Sequence, residues 1–122
     1  MNNRIAAIGC LSAALAVILG AFGAHALKNH LGAYELGVFE TGSKYHFYHS
    51  IALVLYGMKG QNRSTSILFI LGIVIFCGSL YLLAIFGIKK LGMVTPIGGV
   101  LFIVAWIRFA IELIKDKKHA AS

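Results

Sequence analysis

The chain of 122 residues has the length of one domain, and its composition is that of a membrane protein. Hydrophobic residues make up 59% of it and charged residues only 12%, far outside the range of soluble proteins. The net charge is +7, but the 11 Lys and Arg mostly flank apolar runs and do not form one basic patch. This distribution argues against nucleic acid as a partner and is typical of cations at membrane borders.

Residues 5–25 form the first predicted span, because Ile5 to Ala24 is uncharged and a spanning helix needs ~20 residues. Arg4 before the run and Ala24-His25-Ala26 at its end resemble the flanks of a signal peptide. A signal core has only ~7–15 apolar residues, so we expect a span instead. Small residues at intervals of three or four predict one face for close helix packing, namely Gly9, Ala13, Ala16, Gly20 and Ala24.

The second predicted span, residues 39–58, carries several polar side chains. Its apolar part, 51–58, is too short to cross a membrane, so the span must also include the polar stretch 40–50. Counting back from Lys59 at ~1.5 Å per residue places His49 ~14 Å deep, close to mid-bilayer. Ionisable groups at that depth usually face the interior of a bundle and mark functional sites.

Residues 66–88 and 96–114 form the third and fourth predicted spans. Between them, Gly92 is expected to break the helix, with Thr95 as the N-cap and Pro96 as the first residue of the next one. Gly98 and Gly99 are expected to let another backbone come close. Four spans joined by polar connections predict an all-α fold, an integral membrane four-helix antiparallel bundle. The whole chain, 1–122, is predicted to be this single membrane domain.

The distribution of cations predicts the orientation. Four spans place both termini and the loop after the second span on one side, which carries Arg4, Lys59, Arg63, Lys115, Lys117 and Lys118. The opposite side carries Lys28, Lys44, Lys89 and Lys90. The positive-inside rule therefore favours cytoplasmic termini.

Four motifs in order resemble those of a known family: Gly20-Ala-Phe-Gly-Ala-His-Ala-Leu27, Tyr45-x-x-x-His49, Phe76-x-Gly-Ser-Leu-Tyr81, and Thr95-Pro-Ile-Gly-Gly99 with Trp106. The pattern is similar to domain-of-unknown-function family 423, small bacterial inner-membrane proteins similar to mitochondrial transmembrane protein 256. The resemblance covers nearly the whole chain. It implies a four-helix integral protein of the bacterial inner membrane, and it implies no activity.

A buried polar site is predicted around His49, with Tyr45, His46, Ser79 and Arg108 as the other candidates. His46 and His49 stand three residues apart on one helix face, a spacing that can support metal ligation. Two imidazoles are not a complete site, so no metal and no cofactor is predicted. The simpler interpretation is a histidine satisfied by a neighbouring hydroxyl or carbonyl.

Two expectations concern where these side chains point. His49 is too short to reach water from mid-bilayer, so we expect it to be hydrogen-bonded inside the bundle to Ser12 of the first span or Ser79 of the third. Arg108 either snorkels toward the cytoplasmic phosphates, with Glu112 as partial counter-ion, or lies in the bundle at a depth similar to that of His49. The first alternative is favoured.

A second candidate site, for an anion or a lipid head group, lies where the fourth helix begins. Free N–H groups at a helix N-terminus attract anions, and cationic side chains are expected on the same membrane side. A capped tight turn explains the same residues without a ligand and is favoured. The candidates are Thr95, Gly98, Gly99, Lys89, Lys90 and His25.

The chain has no nucleotide-binding loop, nucleophile elbow, paired carboxylates or zinc-hydrolase motif, so an enzyme is not favoured. The sequence favours a non-enzymatic assembly or binding partner, or a carrier of a small ligand or lipid. The alternative is a membrane enzyme, or a redox or metal-binding protein, that uses the His46 and His49 region, with His49 as general base and Tyr45 or Tyr81 as donor. The lipid bilayer is the expected environment. The candidate partners are lipid head groups or another membrane protein, and the sequence also allows an oligomer.

Overall fold

The computed structural model of the protein describes residues 2–59 and 62–121, with side chains for 2–59 and 62–116. Lys117 and Lys118 were counted above among the cations on the side of the termini, but their side chains lie outside the described residues. Gly60 and Gln61, in the loop after the second span, also lie outside them. Over the described part the chain forms four long helices, so the all-α prediction is confirmed. The helices are α1 (Asn3–Leu27), α2 (Ala33–Lys59), α3 (Arg63–Phe86) and α4 (Thr95–Ala121), with a 3₁₀ turn at Lys89–Met93 before α4.

Two of the helices contain a π-helical segment. In α1 it covers Ile18–Gly23, and in α3 it covers Ile73–Cys77. A π-helical segment widens the backbone locally and shifts the faces presented by the residues on either side, and such segments occur frequently at functional sites. Both segments lie inside apolar stretches that the sequence predicts as uninterrupted spans.

The connection between α3 and α4 differs from the prediction. Gly87 ends α3 in the left-handed conformation, φ +67°, and its N–H donates to the Leu83 carbonyl at 2.9 Å. Glycine is favoured there because other residues are strained at positive φ. Gly92 lies in the 3₁₀ turn instead, so its predicted role as helix breaker was wrong. Thr95 begins α4, but its hydroxyl donates back to the Leu91 carbonyl at 3.2 Å.

Small residues bring α1 and α2 close together as antiparallel neighbours. A Cβ on Gly9 would lie 2.7 Å from Val54 Cγ2, and one on Gly20 would lie 3.3 Å from Ser43 Oγ. Ala16, between them, is 2% exposed. The predicted small-residue face is therefore confirmed at these three positions. It removes side-chain bulk where two backbones pass, which increases dispersion contacts between helices.

The remaining helices, α3 and α4, pack on α2 and on each other. A Cβ on Gly98 of α4 would collide with the backbone of Phe76, and this confirms the predicted close approach at Gly98. Tyr56 of α2 packs edge-to-face on Phe109 of α4, with ring centroids 4.9 Å apart. The core between α2, α3 and α4 consists of Ala52, Leu53, Tyr56, Phe69, Ala105 and Phe109.

Three helical segments of the described chain are long and apolar enough to cross a membrane: Asn3–Leu27, Arg63–Phe86 and Lys89–Asp116. The helix α2 is also long, at 27 residues, but it is not among them. Its tyrosines, histidines and Lys44 lower its hydropathy. The helix that is missing from this set is also the one whose side chains form hydrogen bonds to all three of the others.

Candidate functional site

The structure does not bring the five predicted polar residues into one layer. Tyr45 is exposed, whereas His46 and His49 are buried and face different helices. Ser79 Oγ lies 2.5 Å from Thr95 Oγ1, close to the 3₁₀ turn. Arg108 donates a hydrogen bond to Thr65, at the opposite end of α3 from Ser79. The predicted site therefore divides into separate hydrogen-bonded groups.

His49 points into the protein but toward α4. Its Nδ1 donates to the Tyr45 carbonyl at 2.7 Å, and its Nε2 accepts from Trp106 Nε1 at 3.1 Å. Its ring stacks on Phe102 with centroids 3.5 Å apart. Both ring nitrogens thus have a partner, and no lone pair remains for a metal or for proton abstraction. The expected partners, Ser12 and Ser79, were wrong.

The reason for this error is geometric. Residues three apart on a helix point in directions ~60° apart, because each residue turns the helix by ~100°. His46 therefore reaches α1 and α3, whereas His49 reaches α4. The sequence did carry a signal for the correct partner: Trp106 is the only tryptophan, and an indole N–H within an apolar span needs an acceptor.

His46 lies at the centre of a group of four side chains from three helices, which we call the polar chain: Tyr81, His46, Ser12 and Ser50. His46 Nδ1 is 2.9 Å from Tyr81 Oη, and His46 Nε2 is 3.0 Å from Ser12 Oγ. Ser12 Oγ is 2.6 Å from Ser50 Oγ, and Ser50 donates to the His46 carbonyl at 2.6 Å. The polar chain links α1, α2 and α3.

Three of these side chains line a cavity, which we call the groove. It lies between α1 and α3 beside α2 and has a volume of 510 Å³. Its polar lining residues are Ser12, His46 and Tyr81. The other lining residues are Cys77, Gly78 and seven aliphatic residues: Ile8, Leu11, Leu15, Leu53, Ile70, Ile73 and Val74. The groove is thus an apolar concavity with polar groups at one place.

The π-helical segment of α3 helps to shape the groove. Ile73, Val74 and Cys77 belong to this segment and line the cavity, and Gly78 follows it directly. A Cβ on Gly78 would have no heavy atom within 4 Å, so the glycine leaves open space there. His49 lines neither the groove nor the second cavity, of 370 Å³, which lies between α1 and α2 beside Ser43 and Lys44.

Arg108 and Glu112 belong to a third polar group, near the start of α3. Tyr56 Oη lies 2.9 Å from both carboxylate oxygens of Glu112 and 2.9 Å from the Asn62 carbonyl, so these acceptors share its single hydrogen. Thr65 donates to the same carboxylate at 3.4 Å. Arg108 Nε donates to Thr65 Oγ1 at 3.0 Å, and its Nη2 donates to Ser64. Arg108 therefore does not lie beside His49. It shares Thr65 with Glu112, and among the described side chains the two form no direct ion pair. Tyr56 is a partner of Glu112 that the sequence analysis missed.

The residues of the candidate anion site have other contacts. Thr95 is bonded to Leu91 and Ser79, and Gly98 packs on the backbone of Phe76. These contacts explain the two residues by helix packing. The other four candidates have open surroundings or ordinary contacts: Lys89, Lys90 and His25 are exposed, and a Cβ on Gly99 would lie 3.7 Å from Phe76. Binding of an anion there remains a prediction.

Among the side chains that the structure describes, no group of three or more His, Cys, Asp and Glu could hold a metal ion. The two cysteines are unpaired, Cys10 exposed and Cys77 buried beside the groove. The chemistry that the groove offers is therefore dispersion contact along its length and hydrogen bonding at the polar chain.

These features define an all-helical membrane protein, and comparison with known sequences assigns it to a family. The chain belongs to the family described as "Protein of unknown function (DUF423)", whose profile matches residues 19–99. It is 44% identical over 113 residues to a UPF0382 membrane protein of Staphylococcus saprophyticus, covering 88% of this chain and 94% of that protein. The family resemblance inferred from the motifs is thus confirmed.

Two other relatives extend over the same part of the chain or more. The UPF0382 membrane protein YwdK of Bacillus subtilis is 40% identical over 115 residues, 88% of this chain and 94% of the relative. The UPF0382 inner membrane protein YgdD of Escherichia coli K12 is 36% identical over 129 aligned positions, 100% of this chain and 98% of the relative. No solved structure matches the chain significantly.

Proposed function

We propose that the protein is a non-enzymatic binding protein of the bacterial inner membrane that holds the apolar chain of a lipid or lipid-like small ligand in the groove. In this proposal α1 to α4 cross the membrane as a four-helix antiparallel bundle with both termini in the cytoplasm. The observation that carries the proposal is the groove itself, a cavity of 510 Å³ lined almost entirely by apolar side chains.

The size and composition of the groove support a ligand. Small-molecule sites typically have volumes of ~300–1,000 Å³, apolar linings and a few placed polar groups. An empty concavity of this size would forfeit dispersion contacts along its lining, so hydrocarbon from the bilayer would stabilise the protein by filling it. The polar chain supplies the groups that would distinguish one lipid from another.

The hydrogen bonds of α2 support its crossing of the membrane. A polar side chain in hydrocarbon is costly unless it has a partner. His46 bonds to α1 and α3, His49 to α4, and Tyr56 to Glu112 of α4. At ~1.5 Å per residue, the 27 residues of α2 exceed the ~30 Å of a hydrocarbon core. The name of the E. coli relative supports the inner membrane as the location.

The enzyme and redox alternatives have less support. Both would need a free imidazole nitrogen at His46 or His49, and each of these rings uses both nitrogens in hydrogen bonds. His49, the proposed general base, lines neither described cavity. Its side chain is buried, at 6% exposure, which does not favour access of a substrate to it.

Filling the groove tests the proposal. Gly78→Leu places a side chain in open space that lines the groove, and Gly37→Leu makes the same change at an exposed site of α2 away from it. Both replace a helical glycine, so both should stabilise their helix by up to ~1 kcal/mol. We expect native mass spectrometry after purification in mild detergent to show a retained lipid on the wild type and on Gly37→Leu, and its loss from Gly78→Leu.

Equal lipid retention in all three proteins would overturn the proposal. If a protein and no lipid co-purifies with the wild type and is lost from Gly78→Leu, the function would instead be that of an assembly partner.

The orientation has its own test. An alkaline phosphatase fused to the carboxyl terminus is expected to be inactive. An active fusion would place that terminus outside the cytoplasm.

A further inference from the structure

We infer that the groove selects lipids whose polar end is a hydroxyl, a hydrogen-bond donor, over otherwise identical lipids that end in a carbonyl. This inference rests on the proposed function of the groove and adds the class of ligand. It follows from the hydrogens of the polar chain, because each of them is already committed to a bond inside the protein.

The direction of the polar chain is fixed at one end by a backbone carbonyl, which can only accept. Ser50 donates its one hydrogen to the His46 carbonyl. Its oxygen must therefore accept from Ser12, 2.6 Å away, and this bond uses the hydrogen of Ser12. Ser12 must then accept from His46, so the ring proton is on Nε2 and Nδ1 accepts from the hydroxyl of Tyr81.

Two residues that line the groove, Ser12 and Tyr81, have hydroxyl oxygens that are left with accepting capacity only. Tyr81 Oη and Ser12 Oγ have each donated their hydrogen, and each retains a lone pair. A ligand hydroxyl can donate to such an oxygen without disturbing the polar chain. A ketone or ester has no hydrogen to donate and would bring an acceptor against an acceptor.

A carbonyl ligand could form a hydrogen bond there only if the whole polar chain were reversed. Tyr81 would donate to the ligand and accept from Nδ1–H of His46, and Ser12 would donate to Nε2. Ser50 would then have to donate to Ser12 and give up its bond to the His46 carbonyl. One hydrogen bond is lost, which corresponds to about fivefold weaker binding of the carbonyl compound.

Ser50 is therefore a positioning residue that sets the direction of the polar chain without lining the groove. Its removal leaves Ser12 free to donate to His46 Nε2, which moves the ring proton to Nδ1 and turns Tyr81 into a donor toward the groove. Ser66→Ala is a matched control, since Ser66 is another buried serine whose hydroxyl donates to a carbonyl of its own helix, that of Arg63.

The test uses the full-length protein in nanodiscs with three probes of equal chain length: pentadecan-2-ol, pentadecan-2-one and pentadecane. Affinities are measured by NMR titration and expressed per mole fraction of probe in the lipid, so that partition into the bilayer cancels. We expect the wild type and Ser66→Ala to bind the alcohol about fivefold more tightly than the ketone. In Ser50→Ala the ratio should fall to one or below.

The tautomer of His46 gives a second readout, independent of any ligand. The ¹⁵N shifts of its ring should place the proton on Nε2 in the wild type and in Ser66→Ala, and on Nδ1 in Ser50→Ala. Binding of pentadecane with an alcohol-to-ketone ratio near one in the wild type would overturn the inference and leave the groove as a lipid site. Failure of all three probes to bind would overturn the proposed function itself.

Discussion

Removal of the indole N–H of Trp106 should destabilise the protein more than removal of its acceptor. In Trp106→Phe, Nε2 of His49 keeps its lone pair but loses its donor at 3.1 Å. His49 is 6% exposed and is held by the Tyr45 carbonyl and the stacked Phe102, so its ring cannot turn to another donor. In His49→Leu the indole N–H of Trp106 loses its acceptor. The side chain of Trp106 is 42% exposed and is therefore freer to reorient than the ring of His49.

The size of the effect can be bounded from the contacts. An unsatisfied buried group costs ~1–3 kcal/mol, whereas hydrogen bonds between membrane helices average only ~0.6 kcal/mol and reach ~1.7 kcal/mol in double-mutant cycles. Phenylalanine keeps an aromatic ring at this position, so the edge-to-face contact between the two rings, with centroids 5.9 Å apart, is largely retained in Trp106→Phe. We therefore expect a coupling energy between His49 and Trp106 of about 0.5–2 kcal/mol, which comes from the hydrogen bond.

The measurement is the free energy of unfolding of four proteins in bicelles: the wild type, Trp106→Phe, His49→Leu and the double variant. The double variant leaves neither an unpaired donor nor an unpaired acceptor at this contact. Its loss in free energy of unfolding should therefore be smaller than the sum of the losses in the two single variants. Strictly additive effects, or a larger loss in His49→Leu than in Trp106→Phe, would refute this account of His49.

Two further predictions concern contacts between other pairs of helices. Gly98→Ala should lower the free energy of unfolding by about 1–3 kcal/mol, because its Cβ would meet the backbone of α3. Gly99→Ala should be neutral or stabilising, since its Cβ would be in ordinary contact at 3.7 Å. Equal losses in the two variants would show that α4 does not approach α3 as described. Tyr56→Phe should cost about 1–3 kcal/mol in a denaturant titration, because the carboxylate of Glu112 loses a donor, and the exposed Tyr48→Phe should change little. A loss no larger in Tyr56→Phe than in Tyr48→Phe would contradict the bond to Glu112.

The positions of the helices could be predicted from the sequence, but the partners of their polar residues could not. Long apolar runs and small residues at helical spacing are local signals, and they correctly indicated the close contacts of Gly9, Gly20 and Gly98. Which helix His49 faces depends on a rotation of ~60° relative to His46 and on long-range packing. A local pattern does not contain that information.

The groove was missed for a related reason. Its lining comes from three helices, and part of it from the π-helical segment Ile73–Cys77. One wider turn changes the face on which the following residues lie, and apolar periodicity does not reveal it when every neighbour is apolar too. In the sequence analysis Gly78 is only one position of the motif Phe76-x-Gly-Ser-Leu-Tyr81. Its open surroundings became visible from the structure alone.

The dependence of α2 on the other helices has a consequence for how the chain is made. Two of its polar side chains, His49 and Tyr56, find their partners on α4, which leaves the ribosome last. In the proposed membrane arrangement these groups would be unpaired in hydrocarbon until then, and α2 is not among the helices that are apolar enough to cross a membrane. The nascent α2 should therefore remain beside the insertion machinery until synthesis of α4 is complete. A chain truncated after α3 would then lose not only α4 but also the stable insertion of α2.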